Sequence, residues 1–285
     1  MAELLLGKPV ADAIYAKVDS AVENLKQNGV EPTLALVLVG NDPASESYEK
    51  SLVKKAEEHG IKTELFNLEQ TVTQEEFEAT IDALNNDDSI HGCLFFQPLP
   101  HHLDVHALQT KLDPAKDIDC ITEVNSSKVY SNADLLFVPA TAQSCLEILD
   151  HYGIDVTGKH VVVAGRSLVI GRPVSVMLLH RNATVTMTHS KSKKLKDLTS
   201  AADIVILATG RANAFGKNYF APGQVVIDVA TNVDEAGKLT GDVDFDEVEP
   251  IVDSITPVPR GVGSVTTSVM LQFVCSAAAH IAGLK

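Results

Sequence analysis

Tryptophan is absent, aromatic residues make up 5% of the chain, and there are four cysteines, at 93, 120, 145 and 275. No C-x-x-C pair occurs among them. That argues against a zinc site and against a disulfide framework, and it fits reduced thiols in a cytoplasm. Basic residues are the scarcer sign: 23 Lys and Arg against 38 Asp and Glu leave a formal charge of −15. Such a balance disfavours nucleic acid or an anionic membrane as the main partner. Long hydrophobic runs are lacking too, since none nears the ~18–20 residues that a membrane span requires. In MAELLLGKPVAD, Glu3 and Lys8 crowd the short apolar stretch too closely for a signal peptide. What is present, 45% hydrophobic and 21% charged over 285 residues, describes a soluble, cytoplasmic, enzyme-sized protein with room for two domains.

The charge is uneven. Between His160 and Phe220 nine basic residues face only two acids, Asp197 and Asp203, so this stretch carries +7 inside an acidic chain. It reads either as a local site for a small polyanion or as a solvated basic face balancing acidic neighbours.

Strand-like and helix-like segments alternate. TLALVLVG (33–40) reads as a buried strand, 44–59 as a helix, and 62–68 as a short strand. A helix over 74–84 is opened by Thr73 with Glu76 three residues on, a capping-box pattern. Residues 90–96 form another strand ending at QPLP, and a helix follows at 141–151. A second series then runs strand 160–165, helix 171–181, strand 183–187, helix 194–201, and strands 203–210 and 224–230. Residues 265–282 make one long, mostly apolar helical pattern. Such alternation implies parallel sheets. The expected fold is two α/β domains with a cleft between them, the second Rossmann-like, and the C-terminal helix packing back on the first. The expected boundaries are 1–142 plus 264–285 for one domain and 143–263 for the other.

The turn after the strand at 160–165 reads GRSLVIGRP (165–173). Glycine at 165 permits a tight turn beneath a ligand, and glycine at 171 lets the next helix begin close to it. Free N–H groups and the positive end of the helix dipole there suit a pyrophosphate. After the following strand come His189, Ser190 and Lys191, with no acid before Asp197. An adenosine ribose held by NAD-type sites meets a carboxylate at this place, whereas a 2′-phosphate calls for cation and hydroxyl donors, so the pattern points to NADP. Two other clusters have plain alternatives. His102 and His106 are spaced i,i+4 as a metal pair would be on one helix face, but no third ligand accompanies them and a surface helix suffices, so no metal is expected. Tyr48 with Lys50, Lys54 and Lys55 reads either as an active-site face or as a solvated one.

Taken together, VGNDPASESY (39–48), FFQPLP (95–100), PAKDID (114–119), GRSLVIGRP (165–173), ATVTMTHSKS (183–192), GDVDF (241–245) and ITPVPRGVGSVT (255–266) resemble, in order and spacing, the bifunctional methylenetetrahydrofolate dehydrogenase/methenyltetrahydrofolate cyclohydrolases. The resemblance runs end to end. It implies NADP, a reduced folate substrate bound between two domains, and a homodimer. It also implies oxidation of 5,10-methylenetetrahydrofolate to the methenyl form, then hydrolysis to 10-formyltetrahydrofolate, within one-carbon metabolism. By the same resemblance Tyr48 stacks on the aminobenzoyl ring, Gln97 hydrogen-bonds near the reacting centre, and Asp119 binds the pterin. These three are the expected catalytic positions. Gly165, Arg166, Ser167, Ser190 and Thr231 are the cofactor positions, with Arg166 and Ser190 toward the 2′-phosphate. Pro259, Gly261 and Gly263 join Tyr48 and Asp119 as substrate-binding positions.

The chain departs from the family pattern at informative places. The helix motif Y-x-x-x-K has Leu52 where its lysine stands. The loop PGGVGPMT is here PRGVGSVT, which introduces Arg260, Ser264 and Val265. Cys120 replaces the glycine of KDVDG, and the family's VGIN is here VATN, which places Ala230 and Thr231 near the nicotinamide. The resemblance therefore implies a dehydrogenase whose cyclohydrolase step is weak or lost. The alternatives are a fully bifunctional enzyme in which a nearby lysine substitutes, a non-catalytic folate- or dinucleotide-binding paralogue, and an NADP-linked dehydrogenase acting on another substrate.

Overall fold

The structure, a computed structural model, describes residues 1–133, 135–234 and 237–284. The chain runs β1 (Glu3–Leu4), α1 (Gly7–Gln27), β2 (Thr33–Val39), α2 (Pro43–Glu58), β3 (Lys62–Leu68), α3 (Gln74–Asn86) and β4 (Gly92–Phe95). It continues through α4 (Val105–Lys111), α5 (Glu123–Ser131), α6 (Ala140–His151), β5 (His160–Ala164), α7 (Gly171–His180), β6 (Thr184–Thr188) and α8 (Leu195–Ser200). Then come β7 (Ile204–Leu207), β8 (Val225–Asp228), β9 (Asn232–Val233), β10 (Leu239–Thr240), α9 (Phe245–Val248), β11 (Ser254–Ile255) and α10 (Gly263–Ile281).

Two compact units form, one from residues 13–140 with 267–285 and the other from 1–12 with 141–266. The sequence expectation placed residues 1–12 with the first domain. They cluster with the second unit instead, because β1 pairs in parallel with β11, Glu3 opposite Ser254 and Leu4 opposite Ile255.

The first unit is built on a three-stranded parallel sheet ordered β3-β2-β4. All seven residues of β2 are buried because a strand paired on both sides and covered on both faces has no solvent side. Phe77, Ile81 and Leu84 of α3 recur at helical spacing and pack onto this sheet, Phe77 meeting Phe95 edge-on at 6.0 Å between ring centroids. The capping box expected at Thr73 and Glu76 is formed in both directions. The part of α10 beyond Thr266 belongs to the same unit, where Phe273 packs against Phe137 at 5.8 Å. At 19 residues and mean hydropathy 1.3, α10 is long and apolar enough by composition to cross a membrane, contrary to the expectation that no run approaches that length. Its buried side chains, Val269, Leu271, Val274 and Ala278 among them, are core residues here.

The second unit carries a six-stranded sheet ordered β1-β11-β8-β7-β5-β6, parallel throughout. From β5 the chain winds outward through β6 on one side and through β7 and β8 on the other. The β5/β7 boundary is thus a topological switch point, where the carboxyl ends of the strands leave a crevice for a nucleotide. α1, α5 and the two-residue strands fall outside the elements expected from sequence. The pairing of His102 with His106 on one helix also fails. α4 begins only at Val105 behind the Asp104 cap, and His102 instead places Nε2 2.9 Å from the Val72 carbonyl.

Candidate active site

In the first unit the site is built on the amino-terminal half of α2 and the segments that follow β4. Asp42 caps α2 by accepting from the Ser45 backbone N–H at 2.9 Å, with Pro43 preset for the first turn. Its buried stripe is Ser45, Glu49, Leu52 and Ala56. Tyr48 lies at the edge of that stripe. Its hydroxyl is sunk toward Met270 Sδ at 3.3 Å, its ring stands edge-on to Phe96 at 5.9 Å, and 36% of it stays exposed. An aromatic anchored at its polar end with an open face is a stacking platform. Burial raises the Tyr48 pKa, a hydrogen bond with Thr267 opposes that, and the Asp119 charge adds to the rise.

Asp119 is held in place by a frame of buried polar groups. Asp117, fully buried, accepts from the Ile121 and Thr122 N–H groups, the Thr122 hydroxyl and Asn125 Nδ2, all between 2.7 and 2.9 Å. Beside it Lys116 Nζ donates to the Leu84, Asn85 and Asp87 carbonyls at 2.7–3.0 Å, closing the carboxyl end of α3. Cys120, where the family pattern has glycine, takes a left-handed φ of +55°. The Asp119 carboxylate has no hydrogen-bond partner among the described residues, and burial, helped by the Asp117 charge, pushes it up to about 7. A half-buried carboxylate with both oxygens unengaged is suited to accept two parallel N–H bonds from a ligand. Gln97 is exposed at the end of β4, its Oε1 accepting from the Leu99 N–H at 3.3 Å.

Leu52 is completely buried. The three lysines of α2 turn outward instead: Lys50 toward Glu46 at 3.8 Å, Lys54 toward Glu58 at 4.0 Å, and Lys55 onto Glu58 at 2.6 Å and over the Tyr15 ring. Lys50, Lys54 and Lys55 thus form a solvated face, while Tyr48 lies apart from them against Phe96 and Met270. One residue escaped sequence reasoning. Glu49 is buried within the stripe, its Oε2 has no partner among the described residues, and burial raises its pKa. Its one sequence signal is an acid at an inward helical position, i−3 from Leu52.

In the second unit a tight, glycine-dependent turn joins β5 to α7. Gly165 has φ +129°, and a Cβ there would lie 2.3 Å from the Ala208 carbonyl oxygen. A Cβ on Gly171 would lie 2.4 Å from the Gly165 oxygen, so the two glycines let turn and helix meet. Ser167 Oγ accepts from the Ile170 and Gly171 N–H groups at 3.1 and 3.4 Å, pinning the entry to α7. Among the described residues the backbone N–H groups of Arg166, Ser167, Leu168 and Val169 have no partner. Successive unpaired N–H groups between a strand end and a helix start form an anion cradle. A dinucleotide such as NADP fits a turn of this kind, which offers unpaired N–H groups to a pyrophosphate. Arg166 and Ser190 are exposed, Ser190 in the tight loop where the Ser192 hydroxyl accepts from the His189 N–H at 2.9 Å.

Thr231, Pro259, Gly261 and Gly263 line one cavity of about 270 Å³ at the carboxyl ends of β8 and β11. It too belongs to the second unit, whereas Tyr48, Gln97 and Asp119 belong to the first. Two buried acids unremarked in the sequence organise this end of the sheet. Asp242 accepts from the Thr209 and Arg211 N–H groups at 2.6 and 2.7 Å, and Asp228 accepts from the Asp242 and Val243 N–H groups at 3.1 and 2.9 Å. No group of three or more His, Cys, Asp or Glu among the described residues is placed to hold a metal ion.

Comparison with known proteins shows the family and the fold. Residues 5–119 match the family described as tetrahydrofolate dehydrogenase/cyclohydrolase, catalytic domain, and residues 139–282 match its NAD(P)-binding domain. The bifunctional protein FolD of Carboxydothermus hydrogenoformans is 45% identical, with 100% of each chain covered. The crystal structure of the bifunctional FolD dehydrogenase/cyclohydrolase of Campylobacter jejuni superposes with a TM-score of 0.96 at 38% identity, covering 98% of this chain and 99% of that one. The Trypanosoma brucei enzyme, solved with NADP cofactor and an inhibitor, gives a TM-score of 0.92 at 33% identity over 98% of each chain.

Proposed function

The chain belongs to the tetrahydrofolate dehydrogenase/cyclohydrolase family, and from that premise we propose that it oxidises 5,10-methylenetetrahydrofolate to the methenyl form with NADP and hydrolyses the product only weakly. The observation that carries the second half is Leu52, an apolar side chain with no exposed surface at the family's lysine position. The two steps make different demands. The residues of the turn at 165–171 would hold NADP⁺, which would supply the hydride acceptor for the oxidation. Loss of hydride from the methylene carbon is assisted by the substrate's neighbouring nitrogen lone pair, so the protein has chiefly to orient the reactants. Tyr48 offers the ring face for the aminobenzoyl group, Asp119 the carboxylate for the pterin, and Gln97 a side-chain amide toward the reacting centre. Hydrolysis additionally needs a group to activate water and move a proton, worth ~10²–10⁴-fold when positioned. Neither Leu52 nor the outward-paired lysines of α2 supply it.

The assay is disappearance of the methenyl chromophore without NADP, corrected for spontaneous hydrolysis. Slow enzyme-dependent loss is expected in the parent protein. Lys55→Ala should leave it unchanged, because Lys55 is engaged with Glu58 and Tyr15. Leu52→Lys should give a partial gain, since residues i and i+3 are helix neighbours and the unpartnered Glu49 carboxylate stands ready to pair the buried ammonium. Rapid hydrolysis by the parent protein contradicts the proposal.

For the cofactor we propose that the 2′-phosphate is gripped by Arg166 and Ser190, giving NADP at least a tenfold advantage over NAD. The Arg166 guanidinium has no partner among the described residues and is free for such a bond. Calorimetry should show Arg166→Ala losing most of that advantage. Equal affinities in the parent protein contradict it. The reading also includes a cytoplasmic homodimer, which sedimentation of the full chain measures.

A further inference from the structure

Arg260 is the residue in the second unit whose conformation and surroundings disagree most with an ordinary surface arginine. Its φ is +84°, in the left-handed region that favours glycine. Its carbonyl accepts from the Gly7 N–H at 2.8 Å, so the backbone is fixed there. Its guanidinium is exposed and has neither a hydrogen bond nor an ion pair among the described residues. Strain of this kind persists where a side chain is wanted at one place, and an unpaired cation held by strained backbone points toward a ligand.

The place is defined by the sheet. Arg260 stands between two cavities: one of about 270 Å³ that it lines with Asp228, Val229 and Thr231 at the carboxyl ends of β8 and β11, and one of about 480 Å³ that it lines with Lys238, Asp244 and Asp246. The phosphate-cradling turn lies at the end of β5, and β8 is two strands away in the order β5-β7-β8, about 10 Å at normal strand spacing. A dinucleotide whose pyrophosphate sat on that turn would reach across the switch point toward the smaller cavity with its redox ring. That ring is a cation when oxidised and neutral when reduced.

We propose that Arg260 makes the site discriminate between the oxidation states of its cofactor, its fixed positive charge weakening the hold on NADP⁺ relative to NADPH. The inference rests on the cofactor placement proposed above. Asp228, the one acid lining the smaller cavity, offsets little of the charge: its carboxylate is turned onto the Asp242 and Val243 N–H groups and burial keeps it partly protonated. Repulsion between two unit charges across a cavity of this size changes a binding ratio roughly 3- to 50-fold, depending on how much water screens them.

The test is the dissociation constant of NADP⁺ and of NADPH, each measured by calorimetry on the full chain for the parent, Arg260→Gly, Arg260→Gln and Arg260→Lys. Glycine relieves the strained φ, so that variant folds at least as well as the parent. The Gly and Gln variants are expected to bind NADP⁺ at least threefold more tightly with NADPH unchanged, while Lys keeps the parental ratio and high salt shrinks it. Equal changes for both forms in the Gly variant mean that Arg260 touches a phosphate common to them, and that overturns the proposal, as does no change at all. A parent protein that binds neither form overturns the cofactor placement along with it.

Discussion

Replacing Asp119 with alanine is expected to abolish binding of reduced folate while leaving NADP affinity within about twofold. The carboxylate offers two acceptor oxygens with no protein partner among the described residues. Hydrogen bonds to a charged group contribute ~1.5–3 kcal/mol each. Losing two of them weakens binding by about 10²–10⁴-fold. NADP binding is unaffected because the cradle at 165–171 lies in the other unit. The pH dependence follows from the group's pKa of about 7. Accepting two N–H bonds requires the ionised form, so folate affinity should rise with pH up to neutrality, by up to tenfold per unit below 7, and then level off. Stability runs the other way. The unfolded carboxyl titrates near ~4 and the folded one near 7, so the native state binds more protons between those values and unfolding becomes easier as pH rises through that window. Asp119→Asn should therefore flatten the stability profile and bind folate poorly at every pH. Folate binding that survives Asp119→Ala contradicts the assignment.

Gly165→Ala is expected to lower NADP affinity at least a hundredfold. The added methyl would stand 2.3 Å from the Ala208 carbonyl oxygen, and φ +129° is closed to alanine. Both neighbours are backbone, so the turn itself must move, and with it the four N–H groups that would hold the pyrophosphate. Strain of this size costs about 1–3 kcal/mol of stability, visible as a modest fall in Tm. Parental NADP affinity in a folded Gly165→Ala protein contradicts the cradle. Retained folate binding shows that the other unit is intact.

Much of this was legible before any coordinates. Residues 34–39, 161–164 and 204–207 are unbroken apolar runs because their sheets are covered on both faces. Thr73 and Glu76 announced the start of α3 by local chemistry alone. Arg260 and Leu52 stood out as substitutions, and both prove to be structurally unusual, one strained and one wholly buried. Other elements carry a weak local signal or none at all. α5 buries Asn125 and Val129 within a mostly polar sequence and has no apolar stripe. α1 does have one, Val10, Ile14, Val18, Val22 and Leu25, all buried. Two-residue strands have no periodicity to read. Glu49, Asp228 and Asp242 were invisible as site-shaping residues because burial, not spacing, makes them so.

The pairing of β1 with β11 reaches beyond packing. Residues 3 and 254 are neighbours in one sheet, and the other unit draws on both 13–140 and 267–285. Neither unit is a contiguous stretch of chain. During synthesis the ribosome must release nearly the whole polypeptide before either core can close, and each closure brings together segments far apart in sequence. Such high contact order slows folding and prolongs the exposure of unpaired strands. A fragment ending near Leu207 would carry β5, β6 and β7 but leave the amino-terminal strand without its partner. Tethered or truncated variants should therefore be designed around both chain ends rather than around a single linker.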